Sequence, residues 1–409
     1  MKLLIAIPAL NEEDSIAETI ERTLAARGAI IASGAVSDVE VTVVSDGSTD
    51  ATVERARQFG DRIRLIVFER NRGYGAAIME AWRQSDAELL AFLDADGTCD
   101  PAFFVELCTA MLREDAHVTL GSRMHRHSRM PLLRRAGNLV FAAMLTAFGS
   151  SRVRDAASGM RVVRRSCLPR LMPLPSGLHF TPAMSARAIL AGDLRIVEVE
   201  MPYHERAGRS KLSPIRDGIR FTRVILSAAF LYRPSRPLGL LSLLFAASAA
   251  GWAGRLVWQY FQFGAFQDWM VYHFVVVQLS LIASCLLACT GYLGSKTVSI
   301  TLSLHRPRYS SVVGRVLGHR YFLALPLGLI ALGAGVIVPA LVDYLATGRV
   351  EPRVHHWSRF FAMSTAFSLA FILTATRLLD ITLDLLADRL EYLRASRAPD
   401  GDLRVPLDR

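Results

Sequence analysis

Two carboxylates stand one residue apart at the end of an apolar run. The run is Leu89–Leu93, and Asp94 and Asp96 follow it. A short apolar run bounded by turn signals predicts a strand that is covered on both faces. Open α/β sheets bind ligands beyond the carboxyl ends of their strands, where these carboxylates fall. Oxygen ligands suit Mg²⁺ or Mn²⁺, so the pair favours a divalent cation that carries a diphosphate. Taken alone, the pair also fits a solvated Asp-Gly turn.

The segments around this pair predict alternating strands and helices. The predicted strands include Lys2–Ile7, Val39–Val44, Ile63–Phe68, Val118–Arg123 and Ile196–Met201. The first helix is expected to end near Arg27. This alternation predicts an α/β domain with a mostly parallel, Rossmann-like, doubly wound sheet. Asn11 and Glu12 follow the first strand and Asp46 follows the second, so three acidic loops are expected at one edge of the sheet.

The second half of the chain is far more apolar than the first. The chain has 409 residues, of which 52% are hydrophobic, and its mean hydropathy is +0.30. Four stretches approach the length that spans a bilayer as a helix, so we expect an integral membrane protein. They are Pro237–Val257, Val271–Gly294, Phe322–Ala346 and Phe360–Ile381. The short N-terminal apolar run meets Pro8 and acidic residues, which favours a strand over a secretion signal.

Positive charge suggests how the chain meets the membrane. The formal net charge is +10, which we assign to the bilayer or an anionic substrate and not to nucleic acid. The basic loop between the second and third stretches predicts that the N-terminal domain and both termini are cytoplasmic, at an inner or plasma membrane. Pro214–Tyr232 predicts a basic amphipathic helix on the membrane surface. We expect a cytoplasmic α/β domain over residues 1–212 and an amphipathic juxtamembrane helix over residues 213–235. Four transmembrane helices are expected over residues 236–384, followed by a cytoplasmic tail over residues 385–409.

Seven motifs in order resemble a known family. The motifs are Ile7–Glu12, Asp46–Asp50, Asn71–Gly75, Asp94–Asp96, Gly121–Arg123, Ser158–Arg161 and Glu205–Lys211. The first four resemble family 2 glycosyltransferases of the GT-A fold. The last three narrow the resemblance to the dolichol-phosphate mannose synthase and polyprenyl-phosphate glycosyltransferase branch, and the resemblance covers about residues 1–235.

The resemblance implies a role for each matching residue. The catalytic residues would be Asp96, Asp155 and Arg206. The metal ligands for Mg²⁺ or Mn²⁺ would be Asp94 and Asp96. The nucleotide sugar would contact Pro8, Ala9, Asn11, Glu12, Asp46, Gly73, Asp94 and Asp96. The acceptor phosphate would contact Arg123, Arg135, Arg206 and Lys211.

Two positions depart from the family pattern. Ser45 stands where the family often has a second Asp before Asp46, which puts base or ribose recognition in doubt. Thr98 stands where the mannose synthases often have Gln, which puts the metal shell and the donor in doubt. The sugar, the base and the polyprenol length therefore stay open.

The expected function is an inverting transfer of one sugar from a nucleotide sugar, GDP-mannose or a UDP-sugar, to a membrane polyprenyl phosphate. Two alternatives remain, transfer to another lipid such as diacylglycerol, and an inactive transferase-like scaffold. A processive synthase is disfavoured, because its Gln-x-x-Arg-Trp motif is absent: none of the five tryptophans follows an arginine. Homo-oligomerisation stays open. Asp50 fits a helix cap better than a ligand, and Arg377 with Asp380 fits a structural pair.

Overall fold

The structure is a computed structural model, and it describes residues 1–124, 130, 132–149, 152–202, 214–302, 312–348 and 354–395. The chain forms two compact units, Met1–Tyr232 and Arg233–Arg409. The predicted residues Arg206 and Lys211 lie outside the described ranges. The four-part division of the chain stays a prediction, although α8 (Pro214–Tyr232) packs within the first unit.

The first unit is built on one mixed sheet of seven strands. The strands are β1 (Lys2–Ala9), β2 (Asp38–Ser45), β3 (Arg64–Val67), β4 (Leu89–Leu93), β5 (Val118–Ser122), β6 (Met160–Arg164) and β7 (Ile196–Glu200). Their order is β3-β2-β1-β4-β6-β5-β7. Only β6 runs antiparallel to its neighbours, β4 and β5. The prediction of a mostly parallel sheet is confirmed.

Helices cover both faces of this sheet. They are α1 (Ile16–Ala32), α2 (Thr52–Arg57), α3 (Tyr74–Arg83), α4 (Phe104–Arg113), α5 (Leu132–Phe148), α6 (Leu168–Leu171), α7 (Phe180–Ala191) and the α8 helix already given. Successive residues of a strand point to opposite faces, so Leu3 and Ile5 join one buried cluster while Leu4 joins another. Burial on both faces explains why the central strands β1 and β4 are apolar at nearly every position.

Two helix predictions need comment. The first helix continues past Arg27 to Ala32, because Ile30 beyond Gly28 is still buried against the core. The helix predicted over Pro214–Tyr232 is present as α8. Its buried residues Phe221 and Ile225 face the first unit, whereas Ile215 and Ile219 are exposed. The membrane-surface role of α8 stays a prediction.

The described residues of the second unit form helices joined by short turns. Its helices are α9 (Ser235–Phe263), α10 (Val271–Thr301), α11 (Val312–Leu317), α12 (Ala324–Thr347) and α13 (Val354–Ala395). Within the part of the chain that the structure describes, three segments are long and apolar enough to cross a membrane, namely Ser235–Phe263, Asp268–Thr301 and Ala324–Ala346. The fourth predicted stretch lies within α13, which is not among these three. The fourth span therefore stays a prediction.

A charged cluster joins α10 to α13. Asp380 is buried, and its carboxylate accepts hydrogen bonds from Tyr292 Oη at 2.7 Å and Arg377 Nη1 at 2.6 Å. Lys296 also binds Asp380, and it lies 2.9 Å from an oxygen of Asp384. Arg377 and Asp380 thus form the structural pair expected from the sequence, within a larger network.

Candidate active site

A cavity of about 710 Å³ lies at the carboxyl edge of the sheet in the first unit. Most of the predicted nucleotide-sugar residues line it, together with residues of α5 and α8. These predicted residues are Pro8, Ala9, Glu12, Asp46, Gly73, Asp94 and Asp96. Strands β1, β2 and β4 are adjacent and parallel, so the loops that follow them meet at this edge. Residues that lie up to 88 positions apart along the chain, from Pro8 to Asp96, are thus brought together.

Asp46 is bound by the backbone of the loop after β3. Its carboxylate accepts hydrogen bonds from Arg72 N at 2.6 Å and Gly73 N at 2.9 Å. Burial raises the pKa of Asp46, and these backbone hydrogen bonds oppose that rise. Gly47 has φ +75°, and a Cβ there would overlap the backbone of residues 70 and 71. The two loops are therefore in direct contact, and this contact fixes the Asp46 carboxylate at the cavity wall.

Asn11 does not line the cavity. Its side-chain oxygen accepts a hydrogen bond from Thr49 N at 2.8 Å, and its backbone N donates to Ser48 Oγ at 3.1 Å. These bonds tie the first acidic loop to the second. Asp50 precedes Ala51, the N-cap residue of α2, and its side chain accepts a hydrogen bond from Thr52 N, the first N–H of the helix, at 3.0 Å.

The loop that carries Asp94 and Asp96 is held on several sides. Asp94 Oδ1 accepts a hydrogen bond from Tyr74 Oη at 2.6 Å. Asp96 Oδ1 accepts from Thr98 Oγ1 at 2.7 Å, so the residue that departs from the family pattern binds this carboxylate. Ser15 at the start of α1 donates to the carbonyl of Ala95 at 2.7 Å. Both carboxylates line the cavity in a braced loop.

The donor set suits a divalent cation that is bound together with a ligand. No group of three or more His, Cys, Asp or Glu side chains with metal-site geometry occurs in the described ranges. Mg²⁺ is commonly held by one or two carboxylates with water and substrate phosphates supplying the rest. Asp94 and Asp96, two carboxylates at the wall of a cavity large enough for a nucleotide, fit that mode of binding.

Asp155 lies behind the cavity wall and not in the wall itself. It is 0% exposed, and its carboxylate accepts hydrogen bonds from Arg123 Nε at 2.7 Å and from Arg123 Nη2 at 2.9 Å. Asn138 Nδ2 donates to the same carboxylate at 2.9 Å. Burial alone raises the pKa of Asp155, but the charge and hydrogen bonds of Arg123 prevail, and the net shift is downward. Arg123 does line the cavity, so Asp155 determines where this guanidinium lies.

The predicted acceptor-phosphate residues are only partly brought together. Arg123 lines the cavity, whereas Arg135 is half-buried on α5 and is not part of the lining. The neighbouring α5 residue Asn138 lines it instead, and on α8 so do Asp217 and Arg220. Asp217 Oδ1 accepts from Arg220 Nη1 at 3.4 Å. One side of α8 thus contributes to the cavity, which the basic pattern of this helix did not predict.

Sequence reasoning missed two residues near the acidic loops, Tyr74, which is half-buried and lines the cavity, and Arg161. Arg161 is fully buried, and its guanidinium donates to Ala156 O at 2.8 Å and Ser185 Oγ at 2.9 Å. Burial lowers the pKa of Arg161 to about 10, so it is a cation near neutral pH. Its place in the Ser158–Arg161 motif was the available signal, but nothing in the motif shows that the side chain is buried.

A mixed α/β sheet with an acidic pair at its carboxyl edge, facing a nucleotide-sized cavity, defines a GT-A type glycosyltransferase domain. The model of the family Glycosyl transferase family 2 matches residues 4–171. A dolichyl-phosphate hexose transferase of Haloferax volcanii is 30% identical over 232 residues, which cover 55% of this chain and 92% of the relative. The chain therefore belongs to glycosyl transferase family 2, and the predicted enzyme class and family are confirmed.

Other relatives match more than half of the chain. The low-salt glycan biosynthesis hexosyltransferase Agl6 of Haloferax volcanii is 33% identical over 62% of this chain, and the match spans 60% of that relative. A dodecaprenyl-phosphate galacturonate synthase of Rhizobium johnstonii is 25% identical over 57% of this chain and 68% of the relative. The glucosyl-3-phosphoglycerate synthase of Mycobacterium tuberculosis, crystallised with Mn²⁺, uridine diphosphate and phosphoglyceric acid, is 22% identical, with a TM-score of 0.45 over 56% of this chain and 78% of that one.

Proposed function

We propose that this protein moves one sugar from a nucleoside diphosphate sugar to a polyprenyl phosphate, with inversion at the anomeric carbon. The observation that carries the proposal is the meeting of Asp46, Asp94 and Asp96 at one cavity. The relatives' names, which include dolichyl-phosphate and dodecaprenyl-phosphate transferases, support the acceptor class. The base of the donor, UDP or GDP, and the sugar stay open.

The strand-end loops would bind the donor. Pro8, Ala9, Glu12 and Asp46 would hold the nucleoside, and Asn11 would act by tying its loop to the next one. Asp94 and Asp96 would hold Mg²⁺ or Mn²⁺, which supplies charge neutralisation for the leaving diphosphate. The bracing of this loop by Thr98 and Ser15 would keep both carboxylates in place without reorganisation during the reaction.

The acceptor phosphate would be the nucleophile. One of its oxygens forms the new bond to the anomeric carbon while the bond from that carbon to the diphosphate oxygen breaks, and the nucleoside diphosphate leaves. A phosphate is already ionised near neutral pH, so the reaction does not depend on a strong general base. Arg123, positioned by Asp155, would donate to phosphate oxygens together with Arg206 and Lys211, since cationic donors suit such oxygens.

The second unit would anchor the enzyme in the bilayer. Its three long apolar segments support an integral membrane protein. The catalytic domain and both termini would be cytoplasmic by the distribution of basic residues. In this arrangement a lipid phosphate can reach the sugar while its polyprenyl chain stays in the membrane.

Transfer by the purified full-length protein in detergent tests the proposal. Radiolabelled UDP- and GDP-sugars are offered with polyprenyl phosphate, Mg²⁺ or Mn²⁺, and the lipid product is measured. Asp96→Asn should lose on the order of a hundredfold or more in turnover, because charge stabilisation at the diphosphate is lost. Asp100→Asn, an exposed carboxylate four residues along the chain, is the matched control and should retain activity.

Three results would contradict the proposal. Full activity in excess chelator would exclude the cation, and transfer to diacylglycerol with polyprenyl phosphate inert would exclude the acceptor. If the unaltered protein showed neither transfer nor donor hydrolysis, the result would favour a scaffold.

A further test concerns the acceptor site. Arg206→Ala should raise the acceptor KM or lower turnover by about 1.5–3 kcal/mol, the range for a hydrogen bond to a charged group.

A further inference from the structure

We propose that Tyr74 is a positioning residue that fixes the orientation of the Asp94 carboxylate for a divalent cation. The proposal rests on the proposed function, because it takes Asp94 as one of the groups that hold this cation. Tyr74 begins α3, directly after the loop that binds Asp46. Three sets of contacts support this role, namely those of Tyr74 itself, those between Asp94 and Gly159, and those of the two residues before Tyr74 with Asp46.

The phenol of Tyr74 is a fixed hydrogen-bond donor. Its hydroxyl donates to Asp94 Oδ1 at 2.6 Å. The ring packs edge-on against Phe92 and Phe180, with centroids 6.3 and 6.5 Å away. A ring that is packed in this way holds its hydroxyl, and hence Asp94 Oδ1, in one place.

Gly159 restricts Asp94 from another direction. This glycine precedes β6, which pairs antiparallel with β4 so that Leu93 lies opposite Met160. A Cβ at position 159 would overlap the Asp94 carboxylate, so the carboxylate packs against bare backbone. Asp94 thus lies between a hydroxyl donor and a surface that has no room to spare. Rotation of its carboxylate would break the Tyr74 hydrogen bond or collide with Gly159.

The loop before Tyr74 holds a different carboxylate, that of Asp46, independently of the Tyr74 hydroxyl. Arg72 N and Gly73 N donate to Asp46, and the next residue, Tyr74, donates to Asp94 through its side chain. The Asp46 bonds come from the backbone and do not depend on the Tyr74 hydroxyl. Removal of that hydroxyl should therefore weaken cation binding and leave cation-independent nucleotide binding close to normal.

The expected loss of metal affinity can be estimated from other metal sites in which a residue hydrogen-bonds to a metal ligand. Hydrogen bonds that orient a ligating side chain are typically worth about 10–100-fold in metal affinity. Mg²⁺ demands near-ideal geometry at short distances, so a carboxylate that is free to turn binds it poorly. Tyr74→Phe removes only the hydroxyl and keeps the ring against Phe92 and Phe180. It is therefore expected to fold.

The test measures Mn²⁺ binding to the full-length protein in detergent by electron paramagnetic resonance, with saturating UDP or GDP. Tyr74→Phe should raise the Kd for Mn²⁺ about 10–100-fold. The matched control is Tyr232→Phe, which loses a hydroxyl that donates to Arg170 O at 3.3 Å and does not line the cavity. Its Kd for Mn²⁺ should equal that of the unaltered protein. Binding of UDP or GDP in chelator should be the same in all three proteins.

Gly159→Ala provides a second variant that displaces Asp94 from the other side, and it should also weaken Mn²⁺ binding. An unchanged Kd for Mn²⁺ in Tyr74→Phe would overturn the proposal, and so would an equal loss of cation-independent nucleotide binding. An unaltered protein that binds Mn²⁺ but transfers no sugar would contradict the proposed function alone. An unaltered protein that binds no Mn²⁺ would overturn both the cation site and the role of Tyr74.

Discussion

Replacement of Asp155 by alanine should strongly destabilise the protein. The carboxylate is fully buried and accepts from three donors of Arg123 (its N, Nε and Nη2) and from Asn138 Nδ2, at 2.7–2.9 Å. Breaking a buried ion pair by removing one partner costs about 3–5 kcal/mol. In a domain of this size each kcal/mol lowers Tm by about 2–4 °C. The expected fall in Tm is therefore on the order of 10 °C.

Scanning calorimetry of the full-length protein in detergent measures this fall. The matched control is Asp193→Ala, which removes an exposed carboxylate 3.1 Å from Arg170. An exposed pair contributes about 0–1 kcal/mol, so this control should unfold close to the unaltered protein. The reasoning would be refuted if Asp155→Ala lowered Tm no more than Asp193→Ala does. A double change of Arg123 and Asp155 to leucine should recover part of the loss, since no buried charge is then left.

The pH dependence of the stability lost in Asp155→Ala provides a further test. In the folded protein the pKa of Asp155 lies below the unfolded value of 3.8. A depressed carboxyl pKa contributes stability that is present above the unfolded pKa and is lost as pH falls through the folded pKa. The difference in unfolding free energy between the unaltered protein and Asp155→Ala should therefore be constant near neutral pH. It should shrink below about pH 4.

Further predictions concern the second unit, a loop and the topology. Asp380→Ala leaves a lysine and an arginine without their shared buried carboxylate, and should lower the unfolding free energy by about 3–5 kcal/mol, measured in a detergent unfolding titration. Gly73→Ala should raise the Kd for UDP or GDP, because a Cβ at this position would overlap the backbone of Ser176. The control Gly34→Ala, also at positive φ but in open space, should leave this Kd unchanged. In intact cells an impermeant thiol reagent should label a cysteine at Gln262 and not one at Ser310, which lies outside the described ranges, and the reverse would contradict the proposed orientation.

The strands and the acidic edge were predictable because local patterns specify them. Continuous apolar runs identify strands that are covered on both faces, and polar residues directly after each run fall at one edge of a parallel sheet. Asp46, Asp94 and Asp96 were found in this way. The end of α1 was predicted wrongly, because Gly28 weakens a helix but does not end it when the following residues still pack.

The supports of the site could not be predicted, because they depend on contacts between distant segments. Tyr74 reaches Asp94 across 20 positions, and Asp155 reaches Arg123 across 32. The reversal of β6, which brings Gly159 under Asp94, leaves no local signal either, since a short apolar strand looks the same in both directions. The hydrogen bonds by which Asp155, predicted as a catalytic residue, holds Arg123 in position likewise have no signal in the local sequence.

The reversal of β6 has a consequence for the timing of biosynthesis. A chain leaves the ribosome N-terminus first, so β1, β4 and Tyr74 are available for folding before β6 has been made. Until β6 pairs with β4, Asp94 has no Gly159 backbone to pack against, and until α7 follows, Tyr74 has no Phe180. A nascent chain that stops before β6 carries both aspartates but no finished place for a cation. The acidic site is therefore completed only after β6 and α7 have been synthesised, well after its own aspartates.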